Sequence, residues 1–214
     1  LYNNIKQIKS WIMEISNSAK GIIDDLKIAK NIIYYGAPGT GKTYCVKEAI
    51  KSKLGGSLNP ERFELVQFHP TYSYEDFIEG FKPVSSTNGN IQFELKNGIF
   101  KEFCKKAIAN PKENFYFVID EINRAELSRV FGEILFCIEY RIKLKENTIE
   151  WDYNEGLIKT PNSSYIENLN DNENQKKLSV YFDDQKKQSS FGIPENVYII
   201  ATMNDIDKSI DSFD

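Results

Sequence analysis

The residues with the plainest chemistry are Gly36-Ala37-Pro38-Gly39-Thr40-Gly41-Lys42-Thr43. They match G-x-x-x-x-G-K-[ST], a spacing that wraps backbone around phosphate groups. Glycine lets the chain turn tightly with its N–H groups pointing inward. A helix that starts where such a loop ends adds its partial positive charge beneath a bound anion. Lys42 is then placed to reach β- and γ-phosphates, and the Thr43 hydroxyl to hold Mg²⁺. An acidic pair, Asp120-Glu121, follows the apolar run Phe115-Tyr116-Phe117-Val118-Ile119. Phosphoryl transfer to water needs neutralised charge, a placed metal ion and an oriented nucleophile. Asp120 suits the Mg²⁺, through a water, and Glu121 suits removal of the attacking water's proton. Asn204 closes a second apolar run, Val197-Tyr198-Ile199-Ile200-Ala201. Its uncharged amide can orient the water without opposing Glu121. A helix cap for the acids and a turn for Asn204 are the plainer roles open to these residue types.

These side chains need strands to aim them. Asn31-Ile32-Ile33-Tyr34-Tyr35 reads as a strand before the loop, and residues 44–54 as the helix after it. The runs at 115–119 and 197–201 are continuous, as in strands buried on both faces of a parallel sheet. Phe63 to Phe68 alternates and supplies another strand. In an open α/β sheet ligands bind at the carboxyl ends of the strands, which is where Asp120 and Asn204 stand. The sequence therefore predicts an α/β fold with a parallel sheet flanked by helices.

Elsewhere the patterning is weaker. Ile5, Ile8, Ile12 and Ile15, with Trp11, place a helical segment within residues 1–30 that packs on the core. A second short helix is expected from Ile22 to Ala29. Lys27 to Asn31 either packs there or helps hold a nucleotide base. The aromatic stretch His69 to Phe81 is either a short helix capped by Ser73 and packed on the sheet, or part of a subunit interface or central channel. Phe93 and Leu95 suggest a hairpin strand, and Phe100, Phe103, Cys104, Ala107 and Ile108 a helix stopped by Asn110-Pro111. Leu127, Val130, Phe131, Ile134, Leu135 and Ile138 mark one further helix, followed by a short strand at 141–144. The Asn-, Lys- and acid-rich residues 145–190 read as a long insertion, partly hairpin and partly mobile, that tolerates shortening.

Composition sets outer limits. The chain has 214 residues, 41% of them apolar, enough for a core of one large domain or one and a half. A net charge of −4 argues against a broadly basic nucleic-acid surface. No apolar run is long enough to cross a bilayer, and no signal peptide opens the chain. The first residue is Leu1, so a fragment or processed piece is expected. Cys45, Cys104 and Cys137 lie far apart, which suits buried thiols in a reducing cytoplasm rather than disulfides or a metal site. His69 is the single histidine, which excludes a histidine metal cluster.

Taken together, these motifs resemble the AAA+ nucleoside triphosphatases, and more closely the motor subunit of McrBC-type, modification-dependent restriction systems. The resemblance rests on the 36–43 loop, on Tyr72-Ser73-Tyr74-Glu75-Asp76-Phe77-Ile78-Glu79-Gly80 and on Val118-Ile119-Asp120-Glu121-Ile122-Asn123-Arg124-Ala125. It continues through Phe131-Gly132-Glu133 and residues 197–204, and covers the chain from about Asn31 apart from the insertion. It implies that Lys42 is the Walker A lysine, Asp120 and Glu121 the Walker B pair, and Asn204 sensor 1. It implies a partial AAA+ domain over 31–214, truncated before the fifth core strand and the helical lid. The implied function is Mg²⁺-dependent hydrolysis of GTP or ATP, driving a DNA-restriction motor. The implied assembly is a cytoplasmic homo-hexameric ring that partners a McrC-like nuclease subunit on DNA, with no membrane. The family usually has a Thr and an Asp around a small residue after sensor 1. Asp205-Ile206-Asp207 departs at one position, which weakens a GTP assignment. The arginine finger and sensor 2 are expected beyond residue 214, so this stretch alone should bind weakly, hydrolyse little and form no stable hexamer. Arg124 or Arg129 is open to an interface role or to plain solvation. A MoxR-like ATPase that remodels proteins, and a nucleotide-binding regulatory module without turnover, are the alternatives.

Overall fold

The computed structural model describes residues 12–14, 19–85 and 91–204. In chain order the elements are β1 (Ile12–Glu14), α1 (Ala19–Ile28), β2 (Asn31–Gly36), α2 (Lys42–Lys53) and β3 (Phe63–Gln67). Then come α3 (Tyr74–Phe77), β4 (Glu79–Ser85), β5 (Ile91–Asn97), α4 (Ile99–Ala109) and β6 (Phe115–Asp120). After β6 a 3-10 turn (Ile122–Arg124) leads to α5 (Leu127–Phe131), and another (Gly132–Ile134) to α6 (Leu135–Glu139). The remainder is β7 (Lys143–Leu144), β8 (Trp151–Asp152), α7 (Ser163–Glu167), α8 (Asn172–Leu178), β9 (Tyr181–Asp183), β10 (Gln188–Ser190) and β11 (Val197–Asn204). Among the described residues no helix is long and apolar enough to cross a membrane.

The chain divides into two compact units. The first holds the described parts of residues 1–71, 113–127 and 197–214, and carries the sheet. Its strand order is β1-β2-β11-β6-β3, and every neighbouring pair is parallel. The expected α/β sheet is thus present. All of Phe115 to Ile119 is buried, as a strand covered on both faces must be. A core cluster joins Ile22 and Leu26 of α1, Ile32 and Tyr34 of β2, Val46, Ala49 and Ile50 of α2, and Tyr116, Val118 and Ile200. Tyr34 is fully buried, and its hydroxyl donates to Asp25 Oδ2 at 2.9 Å. Burial, then that carboxylate, pushes the phenol well above its ordinary pKa.

Two expectations for the amino-terminal region change. The helical repeat at Ile5, Ile8, Ile12 and Ile15 lies mostly outside the described residues, but Ile12–Glu14 is a strand paired with Ile33–Tyr35. The free edge of β2 offers those residues backbone partners that a helix there would leave unused. A fifth parallel strand therefore joins the sheet from upstream of the glycine-rich loop. The short helix is α1, starting at Ala19 rather than Ile22. Asp205-Ile206-Asp207 lies outside the described residues.

The second unit comprises the described parts of residues 72–112 and 128–196. Its centre is aromatic: Phe77 stacks on Phe100 at 4.8 Å between ring centres and meets Phe131 edge-on at 5.1 Å. Ser73 does occupy the N-cap position of α3, but its hydroxyl donates to the Asp76 side chain (2.9 Å) instead of capping the backbone. That helix has only 4 residues, and Glu79 onward is already strand, forming an antiparallel hairpin of β4 with β5. The single helix expected over 127–138 is broken. Gly132 sits at φ 48°, a left-handed conformation that cannot continue an α-helix, and a 3-10 turn separates α5 from α6.

Residues 145–190 contain the expected hairpin and further regular structure besides. They fold into β8, two short helices and the β9–β10 hairpin, and they bury Trp151, Ile166 and Val180. The Trp151 indole N–H donates to Ile108 O at 2.8 Å. Apolar residues are sparse here, and these three land inside while Ile149 and Tyr165 stay exposed; polar groups bond one another. Ser179 and Ser189 hydroxyls, both buried, are 2.7 Å apart, and Gln175 Nε2 donates to Glu167 O and Leu169 O.

Candidate active site

The glycine-rich loop runs from the end of β2 to the start of α2. Gly39 and Gly41 both take φ 76°, and a Cβ at either would meet nothing within 4 Å. It is backbone conformation, not crowding, that requires glycine there. Gly41 is the N-cap of α2, so the first free N–H groups of that helix face the loop. Thr40 Oγ1 donates to Ala37 O at 2.9 Å and braces the turn.

Lys42 is the first residue of α2 and is 7% exposed. Its ammonium donates to Gly36 O (2.7 Å), Ala37 O (2.8 Å) and Asn204 Oδ1 (2.9 Å). Three donors meet three acceptors, so the charge is held at the loop mouth rather than loose in solvent. Asn204 stands opposite Gly36 in the β11–β2 register, which is why its amide reaches the loop. The same amide donates from Nδ2 to Glu121 Oε1 in a short contact. Asn204 thus bridges the lysine and the acid, and the two bonds agree on which way the amide points.

Asp120 ends β6. Its Oδ1 accepts from Thr43 Oγ1 at 2.7 Å and, in a short contact, from Thr202 Oγ1. The expected Mg²⁺ pair, Thr43 and Asp120, is therefore assembled on one point. A hydroxyl beside a carboxylate at the carboxyl end of a sheet, next to a loop built for phosphates, is an oxygen-donor set that fits Mg²⁺, which keeps most of its water. Thr202 was absent from the sequence reading. The signal was its place two residues before Asn204 on the same strand, since alternate residues share a face.

Glu121 has φ 54° and ψ 47°, in the left-handed region. Such a conformation costs a non-glycine residue about 1–3 kcal/mol and is concentrated at functional sites. It turns the chain out of β6 so that two adjacent acids do different work. Asp120 faces Thr43, and Glu121 faces Asn204. Arg124 Nε lies 3.3 Å from Glu121 Oε2, an ion pair that the sequence reading did not foresee. Lys27 sits in the exposed last turn of α1, paired with Asp24 at 2.7 Å, and Asn31 lies in β2 opposite Ile199. Neither is brought to the loop by a contact seen here. Cys104 and Cys137 are buried and Cys45 is half-buried, all as free thiols.

Comparison with known proteins follows the same lines. A family model described as AAA domain (dynein-related subfamily) matches residues 31–213. The chain is 39% identical over 189 residues to the Type IV methyl-directed restriction enzyme EcoKMcrB subunit of Escherichia coli (strain K12), covering 88% of this chain and 33% of that protein. It is 29% identical over 204 residues to the Type II restriction enzyme BsuMI component YdiS of Bacillus subtilis (strain 168), covering 86% of this chain and 53% of that one. The chain spans about a third of the length of the first relative and about half of the second.

Proposed function

The chain belongs to the AAA domain family, dynein-related subfamily, and from that premise we propose that it is the nucleotide-hydrolysing module of a DNA-restriction motor, acting on GTP or ATP with Mg²⁺. The observation that carries the chemistry is the contact of Thr43 Oγ1 with Asp120 Oδ1 at 2.7 Å. Residues 77 apart in sequence meet beside the loop, which supports Thr43 as a ligand of a phosphate-bound cation and Asp120 as its partner through a water. The restriction role and a nuclease subunit as partner rest on similarity to two restriction-system components; DNA as track and a hexameric ring belong to the proposal through the resemblance of the motifs alone.

In this reading the 36–43 backbone and the start of α2 hold the phosphates. An arriving γ-phosphate oxygen displaces carbonyl partners of Lys42, and the ammonium transfers to it without leaving Asn204. Mg²⁺, held by Thr43 and Asp120, supplies charge neutralisation when bound. Thr202 keeps the Asp120 carboxylate oriented. Glu121 accepts the proton of the attacking water, and Asn204 positions that water. Glu121 Oε2 lies 3.3 Å from Arg124 Nε but accepts no hydrogen bond from the described groups, so a lone pair stays available for that proton.

Calorimetry with non-hydrolysable GTP and ATP analogues, with and without Mg²⁺, tests the reading and names the base. Lys42→Ala abolishes tight binding if the loop is the phosphate site; an unchanged affinity removes it.

A further inference from the structure

The sheet face that packs on α1 and α2 runs on into the site. Leu65, Val118 and Ile200 meet the same cluster from three neighbouring strands. Alternate residues of a strand share a face, so Gln67, Asp120 and Thr202 come next on that face. The register agrees: Gln67 pairs with Asp120, and Thr202 bonds the same carboxylate from β11. Because β6 lies between β11 and β3, Asp120 has a threonine on one flank and Gln67 on the other.

The place of Gln67 is fixed, but its side chain is not engaged. The Phe68 N–H donates to Asp120 O at 2.9 Å, so pairing with β6 continues past Gln67. Val66 and Phe68, 8% and 1% exposed, anchor the backbone on either side. Gln67 is exposed, and its amide makes no hydrogen bond among the described residues. Asp120 is served at one oxygen only. Thr43 and Thr202 both donate to Oδ1, while Oδ2 accepts from none of the described residues. Glu121 does not compete, since its left-handed turn carries it to Asn204. A carboxylate oxygen and an amide, both with hydrogen-bonding capacity to spare, therefore stand on adjacent strands at the carboxyl end of the sheet.

Mg²⁺ keeps most of its water. A water on a cation turns a lone pair to the metal and has two protons to donate. The Asp120 carboxylate can take one, and an amide oxygen one strand away, about 4.8 Å, is placed to take the other. We propose that Gln67 is a further residue of the Mg²⁺ site, its Oε1 accepting from the water through which Asp120 holds the ion. This role rests on the nucleotide reading above and is exerted through that water, so Gln67 is a positioning residue. An amide suits the place, because it adds an acceptor without a third negative charge beside Asp120 and Glu121.

The test titrates Mg²⁺ into the chain saturated with guanylyl or adenylyl imidodiphosphate, with thermal shift and calorimetry as readouts. Gln67→Met keeps the length of the side chain and removes the acceptor. It should raise the half-saturating Mg²⁺ concentration about three- to tenfold, the worth of one hydrogen bond. The metal-free melt and the metal-free nucleotide affinity should match wild type. Gln67→Glu restores an acceptor and should half-saturate at or below the wild-type concentration. The proposal is overturned if Gln67→Met takes up Mg²⁺ like wild type, or if Gln67→Glu is impaired as much as Gln67→Met. It also falls if Gln67→Met loses metal-free nucleotide affinity or melts lower without metal, which would make Gln67 a nucleotide contact or a packing residue. Failure of the underlying nucleotide reading looks different: wild type then shows no Mg²⁺-dependent shift, or Lys42→Ala keeps all of it, and the role of Gln67 falls with it.

Discussion

Thr43→Val probes the proposed metal ligand with almost no change in side-chain shape. Valine fills the threonine volume, so no cavity term arises, and the substitution removes one hydroxyl. In the nucleotide-free protein that hydroxyl donates to Asp120 Oδ1 at 2.7 Å. Hydrogen bonds to a charged acceptor contribute about 1.5–3 kcal/mol. Thr43 and Asp120 are both half-buried, and Asp120 keeps its second donor, Thr202. Solvent screening and that remaining bond bring the expected loss to about 1–2 kcal/mol, which for a chain of this size lowers Tm by roughly 2–8 °C. A ligand at one hundred times its Kd adds about 2.7 kcal/mol, or roughly 5–11 °C. Wild type should show that rise with Mg²⁺ and a non-hydrolysable triphosphate, and Thr43→Val should lose the part that depends on Mg²⁺. Thr202→Val is the control, because it removes the other donor to the same carboxylate oxygen. It should lower the basal Tm by a similar amount yet keep at least half of the Mg²⁺-dependent rise. Differential scanning fluorimetry in four conditions, with and without metal and nucleotide, reads all of this. An undiminished Mg²⁺ effect in Thr43→Val, or an equal loss in both variants, refutes the assignment of Thr43 as ligand and Thr202 as orienting residue.

In the complete protein Glu121→Gln keeps the bond from Asn204 or its reverse but cannot accept a proton, so phosphate release should fall at least a hundredfold, about 2.7 kcal/mol, while nucleotide affinity stays within threefold; a kcat near wild type removes Glu121 from the base role. Trp151→Ala should destabilise the second unit by about 3–5 kcal/mol, and deletion across 150–190 should abolish its cooperative melt, since three buried apolar side chains leave with it. A deletion variant that still melts cooperatively restores the view of that region as a dispensable loop. Burial pushes the Cys104 thiol up and the Cys137 thiol up to about 12, so both should resist iodoacetamide at pH 8 until the chain is denatured, as mass spectrometry would report.

The phosphate loop, the acidic pair and the closing asparagine were legible because each sits in one short run whose residue types have few other uses together. Gly39 and Gly41 announce left-handed turns, and five apolar residues before Asp120 announce a strand buried on both faces. The buried side chains of the insertion were not legible for the converse reason. Trp151, Ile166 and Val180 are too widely spaced to make a periodic signal, and only folding collects them. What no local pattern contains is the pairing of side chains 77, 82, 83 and 162 residues apart: Thr43 and Thr202 on Asp120, and Asn204 on both Glu121 and Lys42. Parallel strand register decides those distances, because it alone sets Asn204 opposite Gly36. The left-handed turn at Glu121, which sends neighbouring acids to different partners, is likewise imposed on a residue that has no preference for it. Sequence determined which groups are available for the proposed phosphate chemistry; the sheet, by fixing which strand ends lie side by side, decided that they meet.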